Sequence, residues 1–252
     1  MALFISVVNH SHDDMICDNS TLKNLAEDHT VIVKSNTIAS EKLKAYCSSA
    51  SIHLIQGKTK KGFGSNNNEV FRYAERSLNM APNDHFLVLN PDVEVENSTI
   101  NFLLRKVEKD NSSVSTINLF RNREKTVYDN SIRQFPNIFN PIRSILGLRR
   151  KDQYDKSNII LPTVIDWAAG SFLLFQCSVF RKLQGFDENY FMYFEDVDIC
   201  QRVKKSNGSV IYYPDLSGVH LAQHSNRNIF SNTFIHYIRS TFIYFLLNKN
   251  RK

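Results

Sequence analysis

The reading turns on residues Gly185–Arg202, GFDENYFMYFEDVDICQR. Here the carboxylates Asp187, Glu195, Asp196 and Asp198 sit among Phe186, Tyr190, Phe191, Tyr193 and Phe194. Gly185 allows a turn, and the apolar run that follows reads as partly buried. From Glu195 to Val203 the spacing of Val197 and Cys200 predicts a helix. Glu195 and Asp196 then fall in its first turn, where unpaired N–H groups and the helix dipole favour negative charge. An acidic, solvated first turn is one reading of the pair. The other is a general base, because a carboxylate held against apolar walls has its proton affinity raised. The density of large aromatics beside two adjacent acids favours the second. Asp187 and Asp198 read as structural, one in a turn and one inside the helix.

The rest of the chain supplies a frame for that stretch. With 252 residues, 42% of them hydrophobic, it suits one large α/β domain with an appendage. No run of about 18 apolar residues occurs, so no membrane-spanning helix is expected. The start, MALFISVVNHSHDD, lacks the basic opening and cleavage site of a signal peptide and reads as a first strand. Cys17, Cys47, Cys177 and Cys200 are scattered without a CxxC pair, which points to reduced thiols and away from zinc. The net charge of +6 is unevenly placed. Residues 130–151 and 216–252 contain no acid and five bases each, which leaves the remainder at −4. Local basic patches suit a phosphate-bearing partner: a nucleotide, a nucleic acid or an anionic membrane surface.

Strands are expected at Leu3–Val8, Thr30–Lys34, Ile52–Gln56, Phe86–Leu89, Ser113–Phe120 and Val210–Tyr213. Helices are expected near 15–27, 40–48, 67–79, 98–109 and 178–183. The polar loop after the first strand, from Asn9, falls where open α/β sheets bind ligands. The third strand runs into KGFGSNNN, residues 61–68, whose glycines and asparagines before a helix suit a phosphate or form an ordinary turn. The fourth strand is apolar throughout and ends at Asn90-Pro91-Asp92, so Asp92 is presented at the carboxyl end of a buried strand. An Asp that merely opens a turn is the alternative. Residues 121–162, with Pro136, Pro141 and Pro162, read as an excursion over the site's mouth. Thr163–Phe175, TVIDWAAGSFLLF, holds the one tryptophan. Trp167 suits either a sugar face or the core. His220 and His224 follow the last strand.

Together these stretches resemble the family 2 glycosyltransferases with the GT-A fold, from Phe4 to about Arg227. NPDVEV at Asn90–Val95 resembles the family's metal-binding acidic motif. GFDENYFMYFEDVDICQR resembles its catalytic segment, KGFGSNNN its donor loop and DWAAGSFLL, residues 166–174, its acceptor-side loop. Within the family the motifs are most similar to those of bacterial rhamnosyltransferases. One departure is that the second strand ends in Ser35-Asn36, where the family usually has Asp-Asn.

The resemblance implies a Rossmann-like, mixed, mainly parallel sheet flanked by helices. It implies a catalytic domain over residues 1–227, followed by a basic amphipathic tail over 228–252. It implies inverting transfer of L-rhamnose from dTDP-L-rhamnose to a lipid-linked saccharide in surface polysaccharide synthesis. It implies Asp196 as base with Glu195 beside it, and a Mg2+ or Mn2+ ion held by Asp92 and His220. The nucleotide-sugar site falls on Val8, Asn9, Ser35, Asn36, Gly62, Phe63, Gly64, Asn67, Asn90 and Asp92. The acceptor side falls on Asp166, Trp167, Gly170 and Glu195. A UDP-hexose or UDP-galactofuranose donor remains open because Ser35 brings no charge. A non-catalytic sugar-nucleotide binder is the rival class, and intact Asp92 and Asp196 argue against it. A nucleic-acid partner is not expected, because an acid-rich centre repels phosphates and no recognition motif is present.

Residues Ile229–Leu247 predict a C-terminal helix with a stripe of Phe230, Phe234, Ile238, Phe242 and Leu246. That stripe suits packing on the domain. It also suits peripheral attachment to the inner face of a bacterial cell membrane, with Arg227, Arg239, Lys249, Arg251 and Lys252 near anionic lipid.

Overall fold

The structure, a computed structural model, describes residues 1–137, 143, 152–221 and 232–250. Pro141, His224, Arg227, Ile229, Phe230, Arg251 and Lys252, all named above, lie outside the described residues, as do the bases Arg149, Arg150 and Lys151 of the 130–151 stretch. In chain order the strands are β1 Leu3–Asn9, β2 Thr30–Ser35, β3 His53–Gln56, β4 His85–Leu89, β5 Val93–Glu94, β6 Val114–Phe120, β7 Ile132–Arg133, β8 Thr163–Ile165, β9 Trp167–Ala168, β10 Phe172–Gln176 and β11 Val210–His220. The helices are α1 Asp13–Asp18, α2 Thr21–Leu25, α3 Glu41–Ser49, α4 Phe63–Ser77, α5 Asn97–Asp110, α6 Cys177–Lys182, α7 Glu195–Lys205 and α8 Asn232–Asn250.

The main sheet runs β3-β2-β1-β4-β10-β6-β11-β5, with β8 on β11. Its first half, β3 through β4, is parallel, and β10 enters antiparallel between β4 and β6. Strand alternation explains why it is buried on both sides. In β4, Phe86 and Val88 face one core, while Leu87 and Leu89 face the other. The first core holds interlocked rings: Phe180 lies 4.6 Å from Phe71 and 5.1 Å from Phe86. Lys34, buried in β2, is compensated by Glu69 of α4 at 2.6 Å, and Lys61 joins the same carboxylate.

Several boundaries differ from the sequence expectation for physical reasons. The helix expected over 15–27 is two helices. Asn19 leaves the helical conformation, and its Oδ1 accepts from Thr21 N, restarting the chain as α2. The last strand runs on to His220, past Pro214. Its register shifts between Tyr213 and Ser217, so the proline's missing N–H falls at an irregularity. Helix α4 begins at Phe63, not near Asn67, so most of the Gly/Asn loop is helical. A Cβ at Gly62 would lie 2.3 Å from Phe191 O, and one at Gly64 would lie 2.8 Å from Phe186 Cβ. The glycines let α4 press directly against the Gly185–Arg202 stretch. Asn68 completes the contact, accepting from Phe186 N and donating to Phe186 O at 2.9 Å each.

The tail helix also docks on that stretch, by a different face from the expected stripe. Tyr237 and Tyr244 pack on Phe194, with centroids 5.8 and 5.2 Å away, His236 stacks on Phe191 at 4.5 Å, and Ser240 Oγ donates to Met192 O at 2.8 Å. Phe242 and Leu246 of the expected stripe point away and are 66% and 64% exposed. Aromatic partners, not hydrophobicity alone, select the docking face.

Below the acids, Arg202 closes the segment. Its guanidinium donates to Asp198 Oδ2 at 2.7 Å, Leu183 O at 2.7 Å and Gly185 O at 2.9 Å. Arg202→Leu takes this guanidinium from a buried carboxylate and two carbonyls. The expected loss is about 3 kcal/mol of folding free energy, read as a lower urea midpoint at unchanged slope. A midpoint equal to wild type would show that the staple is dispensable.

Candidate active site

Local sequence sets the first half of the site. After β4, Val93 N donates to Asn90 O at 3.1 Å, closing a turn with Pro91 inside it. The chain then enters β5, which pairs with the end of β11 so that His220 lies opposite Val93. Leu221 N donates to Asp92 O at 3.1 Å, fixing the alignment. As a result His220 Nε2 lies 3.4 Å from Asp92 Oδ1, while its Nδ1 meets Asp129 Oδ2 at 2.9 Å. Burial disfavours the imidazolium, but the two carboxylates outweigh it and raise the His220 pKa to about 9.

The second half is the start of α7. Glu195 is buried, and its Oε2 has no hydrogen-bond partner among the described residues. Burial, then the charge of Asp196, pushes the Glu195 pKa well up. Asp196 is half-buried. Burial raises it too, but the N–H groups of Gly170, at 3.2 Å, and Val197, at 2.8 Å, oppose the shift, as does the charge of Arg133. Both carboxyls are therefore pushed toward holding a proton, Glu195 the more strongly of the two. Tyr193 and Phe194, just before them, both have φ of +69°, a left-handed conformation that costs non-glycine residues roughly 1–3 kcal/mol each. Phe63 N donates to Phe191 O at 3.0 Å, so α4 on one side and α8 on the other hold the strained segment.

One dipeptide joins the halves. Gly170 N donates to Asp196 Oδ2, and Ser171 O accepts from Asn90 N at 3.0 Å. A side chain at Gly170 would meet the Phe63 ring at 2.8 Å. Asp166 braces the same loop, accepting from Phe135 N at 3.0 Å and Lys204 Nζ at 2.9 Å. Of the two readings of Trp167, the core one matches its surroundings: it is 8% exposed, Arg133 lies 5.8 Å over its ring, and its Nε1 donates to Gln134 O at 2.8 Å. It is a core residue because β7 and β9 pair across it.

At the sheet's other ligand-facing end, Val8 is half-buried while Asn9 and Ser35 are buried. Asn9 Nδ2 donates both to Ser35 Oγ, at 2.9 Å, and to Asp13 Oδ1, at 2.7 Å. Asn36 exchanges two hydrogen bonds with the Lys61 backbone, pinning the start of the KGFGSNNN stretch. Asn67 is buried, donating to Phe63 O and accepting from Ser6 Oγ. An open cleft of about 610 Å³ lies beside this edge, lined by Ser11, His12, Asp13, Thr37 and Ile38 among others. Sequence reasoning missed two carboxylates here. Asp13 is joined to Ser35 through Asn9, and Asp129 is joined to Asp92 through His220. Neither sits in a motif, so only the tertiary contact reveals them.

The donor set fits a divalent cation. A carboxylate oxygen and an imidazole nitrogen lie 3.4 Å apart; the carboxylate suits either Mg2+ or Mn2+, and the imidazole suits Mn2+ better than the harder Mg2+. Among the described residues no three His, Cys, Asp or Glu side chains group closely enough to form a ligand cage.

No family model matches the chain. It is 35% identical to rhamnosyltransferase WbbL of Escherichia coli K12 over 243 residues, 96% of this chain and 92% of that protein. It is 31% identical over 173 residues to an N-acetylglucosaminyl-diphospho-decaprenol L-rhamnosyltransferase of Mycobacterium tuberculosis, spanning 64% of this chain and 54% of that one. Among solved structures, GalNAc-T7 with UDP, GalNAc and Mn2+ superposes with a TM-score of 0.67 at 13% identity, over 96% of this chain and 48% of that one, which speaks to the fold alone. With 35% identity along nearly the full length of both chains, and the acidic motifs assembled at one site, the chain belongs to the family 2 glycosyltransferases of GT-A fold.

Proposed function

We propose that this glycosyltransferase moves L-rhamnose from dTDP-L-rhamnose, with inversion, to a lipid-linked saccharide at the inner face of a bacterial membrane. The observation that carries the reading is the Gly170-Ser171 bridge, which holds the Asp92 turn and the Asp196 carboxylate on one short piece of backbone. A leaving-group site and a base must be neighbours for a displacement at one carbon. The sugar assignment is supported by the names of the two relatives, both rhamnosyltransferases. The mycobacterial relative's name also specifies a sugar on a diphospho-decaprenol lipid, which supports the acceptor class.

In this mechanism Asp92 and His220 would hold Mg2+ or Mn2+. When bound, the ion offsets the charge that builds on the departing nucleoside diphosphate. Asp196 accepts the proton of an acceptor hydroxyl as that oxygen attacks the anomeric carbon. The new C–O bond forms on the face opposite the diphosphate, whose bond to the carbon breaks. Glu195, protonated, adds no second negative charge and keeps a donor beside the acceptor. Gly170 N–H orients the Asp196 carboxylate, and Asp166 steadies the loop that carries Gly170. At the donor edge Asn36 and Gly62 set the shape of the loop from Lys61. Asp13, reached through Asn9, supplies a carboxylate near the position where Ser35 does not.

Membrane attachment is supported by α8. Its aromatic face is covered, yet Ile235, Phe242 and Leu246 remain 60–66% exposed, with Arg239 on the same side. No helix among the described residues is long and apolar enough to cross a membrane. Bases near an anionic surface contribute roughly 1 kcal/mol each, so the tail suits a reversible, salt-sensitive hold.

Transfer assays with dTDP-L-rhamnose and UDP-sugars test the reaction. The rhamnose donor is expected to be fastest, activity to vanish with a chelator and return with Mn2+ or Mg2+, and Asp196→Asn to lose at least ~100-fold in turnover with dTDP binding kept. Faster turnover of a UDP-sugar would refute the donor; chelator-resistant turnover would refute the metal. A co-sedimentation experiment tests the surface. The Ile235→Ser/Phe242→Ser/Leu246→Ser protein should bind anionic vesicles several-fold more weakly than wild type at low salt. Equal binding would take α8 off the membrane.

A further inference from the structure

Asp129 lies in the chain between β6 and β7, in the stretch that carries no recognisable motif. Its side chain is 12% exposed, and its backbone N–H is tied to Leu119 O at 2.9 Å. One oxygen, Oδ2, faces His220 Nδ1 at 2.9 Å, and the other faces Arg121 Nε at 3.4 Å. Held from both oxygens, it is a fixed acceptor against one nitrogen of an imidazole whose other nitrogen points at Asp92.

We propose that Asp129 is a positioning residue for the nucleotide-associated divalent cation, holding His220 so that Nδ1 donates to the Asp129 carboxylate and Nε2, which gives up its proton when the cation binds, faces the Asp92 site. This deepens the proposed function and rests on Asp92 and His220 as the cation's protein ligands. The chemistry is simple. A neutral imidazole carries one donor and one acceptor nitrogen, and a metal ligand must present the acceptor. An ionised carboxylate can only accept, so it fixes which nitrogen keeps the hydrogen. It also stops rotation of the ring, which sits on the last residue of β11. Arg121 in turn holds the carboxylate from its far oxygen. A purely structural ion pair would share this geometry but would affect folding and leave cation affinity untouched.

The test is a Mn2+ titration of the full chain by electron paramagnetic resonance with saturating dTDP. It is run for wild type, Asp129→Asn, His220→Ala and the double variant, with dTDP affinity measured separately without metal. Asp129→Asn is expected to weaken Mn2+ about 10–100-fold, with metal-free dTDP affinity unchanged. In the His220→Ala background the same change should add nothing, because its effect passes through the imidazole. If Asp129→Asn does not fold, Asp129→Glu, which keeps the charge and displaces it by one methylene, carries the same expectation. Wild-type Mn2+ affinity in the Asp129 variants, alongside weakened binding in His220→Ala, overturns the proposal and leaves the ligand assignment standing. Wild-type affinity in His220→Ala overturns both.

Discussion

Two residues without glycine's freedom, Tyr193 and Phe194, stand in the left-handed region immediately before the acidic pair. The backbone adopts that conformation only where its surroundings enforce it. Much of the molecule does so. Helix α4 approaches through Gly62 and Gly64, the first of which faces the Phe191 carbonyl closely enough to exclude any side chain. Helix α8 covers Phe194 with two tyrosines and ties the Met192 carbonyl with Ser240. The bend turns α7 so that its first residues meet Gly170, and Gly170-Ser171 carries the alignment on to the Asp92 turn. The proposed base is therefore placed by contacts from distant parts of the chain.

The two acidic centres are built on opposite electrostatic logic. At Asp92 and Asp129 the carboxylates face the His220 imidazole from either side, and Asp129 also meets the Arg121 guanidinium. At Glu195 and Asp196 two carboxyls are packed beside each other among apolar side chains, and one is pushed to hold its proton. The proposed transfer calls for both environments: one to hold a cation-bearing diphosphate, the other to take a proton.

Much of this was legible in the sequence. Leu3–Val8 and Phe86–Leu89 are apolar on both faces, and strands of that kind have few places to go but the centre of a sheet. Asp92 follows from the second of them, and the start of α7 at Glu195 follows from helical spacing. Other features were hidden because their reasons are tertiary. Glycine and asparagine are poor helix formers, so residues 63–66 read as loop; they are helical because small side chains are what the Phe186–Phe191 segment will admit. Pro214 reads as a strand end and is instead an irregularity within β11, which is how His220 comes to sit on a strand beside β5. Trp167 gave no sign that β7 would close over it. The tail's stripe was visible, but the docking face is chosen by Phe191 and Phe194, far away in sequence.

The docking of α8 also bears on what a local opening of the molecule would undo. Phe194 takes its aromatic cover from Tyr237 and Tyr244, and the Met192 carbonyl takes its partner from Ser240. None of these contacts is made to a strand of the main sheet. Release of α8 alone would therefore leave the sheet's ladders intact while removing one of the two supports of the left-handed bend at Tyr193–Phe194.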